Sequence, residues 1–106
     1  MTDVRLVFMT APDEALAAQI AGRLVEEELV AQADILPGVR SIYRWEGEIC
    51  DDSEVLVIFK TLAAKVPLVS ERILALHPYD CPVVVSVPVE GGSRAYLDWV
   101  GAAVRP

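Results

Sequence analysis

The chain has 106 residues, the length of a single domain, here taken as 1–106. Its hydrophobic fraction of 54% is high for a small soluble monomer, so the excess apolar surface is expected to lie in an interface. A net charge of −7 argues against nucleic acid and anionic membranes as partners, and suits solubility or attraction of cations.

No stretch reaches the roughly 18 apolar residues of a membrane span. Met1 to Val7 lacks the charged and apolar regions of a signal peptide. Cys50 and Cys81 are therefore expected as free thiols in a reducing cytoplasm.

Val4 to Met9 is a short apolar run and reads as a strand. Thr10 is placed to cap a helix with Pro12 and Asp13 in its first turn. Leu16, Ile20 and Leu24 recur every fourth residue and give that helix, to about Glu28, its buried stripe. Ala31 to Trp45 is extended, with a bulge expected at Pro37-Gly38. Glu46-Gly47 turns the chain, and Glu48 to Thr61 returns as a second long strand. Val55 to Phe59 is continuously apolar, so both of its faces need cover.

A second helix begins near Pro67, buries Val66, Val69, Ile73 and Leu76, and stops at Pro78 just after His77. Pro82 to Val89 is the last main strand. Gly91-Gly92 ends it, and Ser93 caps a short helix carrying Tyr96, Leu97, Trp99 and Val100.

Two βαβ units joined by a hairpin predict an α+β, ferredoxin-like βαββαβ split fold with a long hairpin between its second and third strands and a short C-terminal helix. Right-handed crossovers put the first two helices on one face of the antiparallel sheet. The other face is left bare, yet Val55 to Phe59 and Val83 to Val87 place apolar side chains there. This predicts an oligomer.

Several stretches then stand together: Thr10-Ala11-Pro12-Asp13-Glu14, Leu36-Pro37-Gly38-Val39, Ser41-Ile42-Tyr43, Trp45-Glu46-Gly47, Lys60-Thr61, His77-Pro78-Tyr79-Asp80 with Pro82, and Tyr96-Leu97 with Trp99. Over nearly its whole length the chain resembles the CutA family, the divalent-cation tolerance proteins. The resemblance implies a subunit shaped like the PII signalling proteins, a tight homotrimer, and a cytoplasmic role in tolerance of copper or another divalent metal. It also implies a metal site built from a cysteine before Thr-Ala-Pro-Asp-Glu and paired histidines before Pro-Tyr. Here those positions hold Met9 and Leu76-His77, and a further position often filled by cysteine is Gln32.

The candidate metal ligands are thus Met9, His77 and Cys81, since thioether, imidazole and thiol donors suit Cu(I) or Zn(II). His77, the only histidine, reads equally as a helix C-cap, and Cys81 as a structural thiol. Asp51, Asp52 and Glu54 form an acidic run that reads as a solvated strand end or a hard-cation site, and Glu26-Glu27-Glu28 is a solvated helix end. Lys60 either snorkels at the sheet edge or, as the resemblance favours, pairs with a carboxylate in a cleft between subunits, with Glu90 as the expected partner. Tyr79, Tyr96 and Trp99 are expected to line that cleft, and Tyr43 and Trp45 to anchor the trimer interface. Gly91-Gly92-Ser93 is a weak anion-binding signal. No nucleophile elbow or phosphate loop is present, which predicts a protein that is not an enzyme. A PII-like regulatory or scaffold trimer, binding a small molecule or a partner protein, is the alternative.

Overall fold

The computed structural model describes residues 2–106. Its elements run β1 (Val4–Ala11), α1 (Glu14–Glu26), β2 (Gln32–Trp45), β3 (Glu48–Leu62), a 3-10 turn (Ala63–Lys65), α2 (Val66–Leu76), β4 (Val85–Pro88) and α3 (Arg94–Ala103). The four strands form one sheet in the order β2-β3-β1-β4, with every neighbouring pair antiparallel. Each βαβ unit therefore straddles a strand of the other, which is the expected split α+β arrangement.

Strand alternation sorts the sheet into two faces. Val7, Met9 and Ala11 of β1 lie opposite Phe59, Val57 and Val55 of β3, and all six are buried. Onto them pack Ala17, Ile20, Ala21 and Leu24 of α1 and Val69 and Ile73 of α2. A smaller cluster of Val4, Val100 and Val104 seats α3 at the end of the sheet. Thr61 is fully buried and donates its hydroxyl to the Leu29 carbonyl (2.7 Å), tying β3 to the turn after α1.

The helix termini follow local chemistry, with one departure from expectation. Asp13 caps α1, its side chain accepting from the Leu16 N–H (2.8 Å), whereas Thr10 stays in β1. Pairing with Leu56 keeps Thr10 extended, and the first free carboxylate beyond the strand takes the cap. Helix α1 ends two residues short of Glu28, which sits at a positive φ of 58° beyond the Glu27 cap. Ser93 caps α3 as predicted, and Pro67 occupies the first turn of α2.

The hairpin is the longest feature of the molecule. Strands β2 and β3 pair from Gln32↔Lys60 out to Trp45↔Glu48, with a register shift between Leu36 and Val39. Pro37 and Gly38 fill that bulge, and Gly38 takes a φ of +83° that a Cβ would strain. Glu46 and Gly47 turn the chain with positive φ at both residues, the conformation that matches strand twist. The arm stretches the molecule to 44 × 25 × 22 Å and its radius of gyration to 14.3 Å. A compact domain of this length would have about 13 Å.

The last strand is shorter than the sequence suggested. It begins at Val85, because Cys81 to Val84 reach the sheet as irregular chain, and it pairs only with Arg5 to Phe8 of β1.

Candidate functional site

The sheet face opposite α1 and α2 is uncovered within the chain. Its side chains form a grid that the register defines. One row across the strands is Gln32, Lys60, Leu6 and Val87. The next is Asp34, Ile58, Phe8 and Val85, and the third is Leu36, Leu56 and Thr10. Seven of these eleven positions are aliphatic or aromatic. Val85 is 53% exposed and Leu36 41%.

All the polar residues but Thr10 gather at one corner. Lys60 pairs with the Asp34 carboxylate, and its own side chain is only 15% exposed. Gln32 donates from Nε2 to the other Asp34 oxygen (3.3 Å) and accepts at Oε1 from the Tyr96 hydroxyl. The Tyr96 ring lies 5.7 Å from that of Trp99, and both are more than a third exposed. Lysine, aspartate, glutamine and tyrosine from β3, β2 and α3 thus make one continuous hydrogen-bonded array beside an apolar field.

Within one chain Lys60 has a carboxylate partner other than Glu90, the one expected in a cleft between subunits. Asp34 holds the ammonium, and Glu90 is exposed beyond the end of β4. Lys60 and Asp34 lie on adjacent strands one row apart on the same face, so the register dictates the pair. Sequence reading missed Asp34 and saw Gln32 only as a replaced cysteine. The signal available was strand alternation: Gln32, Asp34 and Leu36 are two residues apart and share a face before the bulge at Pro37-Gly38.

The proposed metal donors are placed apart in environment. Met9 is fully buried in the main core. His77 is 7% exposed and is the C-cap of α2. Its Nε2 lies 2.8 Å from the Thr10 carbonyl, which can only accept, so that nitrogen carries the proton. Its Nδ1 accepts from the Tyr79 N–H (3.2 Å), so both ring nitrogens are engaged. Cys81 is exposed, and Cys50 is half-buried on the hairpin, opposite Tyr43. Among the described residues no group of three or more His, Cys, Asp or Glu side chains is placed to hold a metal ion. The donors within one chain do not fit a closed metal site.

The acidic run is dispersed as well. Asp51 takes a two-pronged hydrogen bond from Arg40 (2.9 and 2.7 Å), which holds its carboxyl below the usual carboxylate range. Asp52 accepts from Tyr43, and this hydrogen bond pushes the Tyr43 phenol well above its ordinary value. Glu54 meets the Tyr79 hydroxyl at 3.3 Å. Burial, followed by the nearby Glu54 charge, raises the Tyr79 phenol. Tyr79 also packs on His77, with ring centroids 4.6 Å apart, so it belongs to the α2 cap and is separate from the Lys60 array. Tyr43 and Trp45 stand 42% and 44% exposed on the arm, next to Ile42 at 64% and Ile49 at 70%.

Comparison with known proteins bears on the whole of this arrangement. The profile of the family described as CutA1 divalent ion tolerance protein matches residues 5–103. The divalent-cation tolerance protein CutA of Thermus thermophilus is 47% identical over 90% of this chain and 92% of its own length. Mouse protein CutA is 42% identical over 92% of this chain, which spans 55% of the mouse sequence. The crystal structure of CutA from Xylella fastidiosa superposes with a TM-score of 0.95 at 39% identity, covering 98% of this chain and all of that one.

Proposed function

Because the chain belongs to the CutA1 divalent ion tolerance family, we propose that it acts as a homotrimeric, non-enzymatic, cytoplasmic divalent-cation tolerance protein that takes up copper or a similar metal weakly at the clefts between subunits. The observation that carries this reading is the open sheet face. Leu6, Phe8, Leu36, Leu56, Ile58, Val85 and Val87 gather on one side of a four-stranded sheet, with Leu36 and Val85 41% and 53% exposed, and a contiguous apolar patch of this kind marks an interaction surface. Further copies of the chain cover it most simply, because every copy carries the same need.

The weak metal binding follows from the donor placement. One subunit offers single donors such as the exposed Cys81 thiol, together with carboxylates already engaged by Arg40, Tyr43 and Tyr79. A metal would draw ligands from more than one subunit and would compete with existing hydrogen bonds. The net charge of −7 favours cations over anions near the surface. Two free thiols suit a reducing compartment.

A second reading is a PII-like regulatory or scaffold trimer that binds a small molecule or a partner protein. The Lys60–Asp34–Gln32–Tyr96 array beside Trp99 supports it, since convergent polar groups next to exposed aromatic rings suit a ligand pocket.

Native mass spectrometry of the purified protein, followed by calorimetric titration with Zn(II) and Cu(I), separates these readings. The leading one expects a trimer with dissociation constants in the micromolar range or weaker. A monomer at micromolar protein overturns the assembly. A trimer that binds no metal but carries a retained small molecule favours the second reading.

A further inference from the structure

Apart from Thr10, the open face is apolar except at one corner, and the side chains of that corner are hydrogen-bonded to one another within a single chain. We infer that the Lys60–Asp34–Gln32–Tyr96 array is the specificity element of the interface between copies of this chain: it fixes their number and register, and adds little to their affinity. This rests on the trimer reading above.

An apolar sheet face has no intrinsic register against another apolar surface. Leu6, Ile58, Phe8 and Val85 would pack acceptably against an aliphatic patch in several offsets. The array breaks that degeneracy. Lys60 is the only charged side chain in these rows on β1, β3 and β4, and its side chain is 15% exposed while the Asp34 side chain that pairs with it is 47% exposed. A packing that slides an apolar side chain onto the corner strips water from an ammonium and a carboxylate, and buried charges are tolerated only when paired and hydrogen-bonded. A packing that leaves the corner at the perimeter keeps those groups solvated while the apolar rows are buried.

The existing hydrogen bonds strengthen this discrimination. Asp34 receives from both Lys60 and Gln32, and Gln32 receives from Tyr96 on α3. The array thereby locks three elements into one geometry before any partner arrives. Tyr96 and Trp99 stand as a half-exposed wall on its outer side, which marks the limit to which a neighbouring copy can advance. Polar groups placed singly in apolar interfaces set register and stoichiometry in this way, and they do so at some expense of stability.

The test replaces the array by apolar groups. Lys60→Met with Asp34→Leu removes both charges together, so no unpaired charge is left behind. Native mass spectrometry and analytical ultracentrifugation are then run on wild type and variant at the same concentrations. The inference expects a single species for wild type and two or more coexisting oligomers for the double variant. It also expects a thermal midpoint no lower than that of wild type.

Lys60→Met alone leaves the Asp34 carboxylate without its cation, and should raise the midpoint concentration for dissociation at least tenfold. Gln32→Leu with Tyr96→Phe is the milder probe if the charge variants precipitate, and should broaden the oligomer distribution in the same sense. A double variant that remains one discrete oligomer of wild-type size overturns the inference and leaves the trimer reading standing. A monomeric wild type overturns the trimer reading itself.

Discussion

His77 shows how much one side chain's environment decides about its chemistry. Its imidazole is buried, its Nε2–H is committed to the Thr10 carbonyl, and its Nδ1 lone pair is committed to the Tyr79 N–H. To bind a metal, the ring must give up one of these bonds and leave a backbone group unpaired. The ring therefore joins the end of α2 to β1 and orients Tyr79, whose hydroxyl reaches Glu54 on β3. Replacing His77 by alanine leaves the part-buried Thr10 carbonyl and Tyr79 amide without this partner, and should lower unfolding free energy by about 1–3 kcal/mol. Chemical denaturation measures the loss. Zinc titration of the same variant should match wild type, and a large drop in metal affinity would show that the ring is a ligand after all. The C-cap role was legible in the sequence, since a histidine before proline ends a helix. Its Thr10 partner was not, because that contact spans 67 residues and depends on tertiary packing.

At the scale of elements, the two long helices are joined by charge as well as by their apolar stripes. Glu27 at the end of α1 takes a two-pronged hydrogen bond from Arg72 of α2 (2.9 and 2.7 Å). That bond holds the Glu27 carboxyl below its ordinary value of 4.5, with the Arg72 and Arg23 charges helping. A carboxyl lowered in the folded state contributes stability that is fully present above 4.5 and is lost as pH falls through the lowered folded value. Glu27→Gln should therefore reduce stability near neutral pH, and the difference from wild type should begin to shrink as pH falls below 4.5 and close only beneath the lowered folded value. Acid titration of both proteins, followed by circular dichroism, tests this. A constant offset at all pH values would mean the loss comes from packing. The stripes themselves, Leu16, Ile20 and Leu24 on α1 and Val69 and Ile73 on α2, were readable from periodicity, as were the bulge at Pro37-Gly38 and the turn at Glu46-Gly47. Two things were not. Thr10 was read as a cap because hydroxyls favour caps, but pairing with β3 overrode that local preference. The start of the last strand lies later than Val83 and Val84, which are good β-formers, suggest, because the chain after α2 reaches the edge of β1 only at Val85.

At the scale of the whole molecule, both tryptophans report on the proposed assembly. Trp45 lies near the end of the hairpin arm and Trp99 beside the Lys60 array, and they are 44% and 47% exposed within one chain. The sequence contains two tryptophans, so emission reads these two places alone. The arm carries exposed Ile42 and Ile49 on one face and exposed Tyr43 and Trp45 on the other, away from the core of its own chain. A two-stranded ribbon of that length is marginal by itself in water. Its regular pairing out to Trp45↔Glu48 is therefore best maintained against another copy. Assembly should cover Trp45 and shift emission to shorter wavelength, and dilution through the dissociation range should reverse the shift. Because folding and association are then linked, the thermal midpoint should rise with protein concentration. Trp45→Phe should remove the arm's part of the dilution-dependent shift, and Trp99→Phe should leave that part in place. Emission and midpoint that stay constant over a hundredfold dilution, with ultracentrifugation reporting a monomer throughout, would mean that the arm stands free in solution.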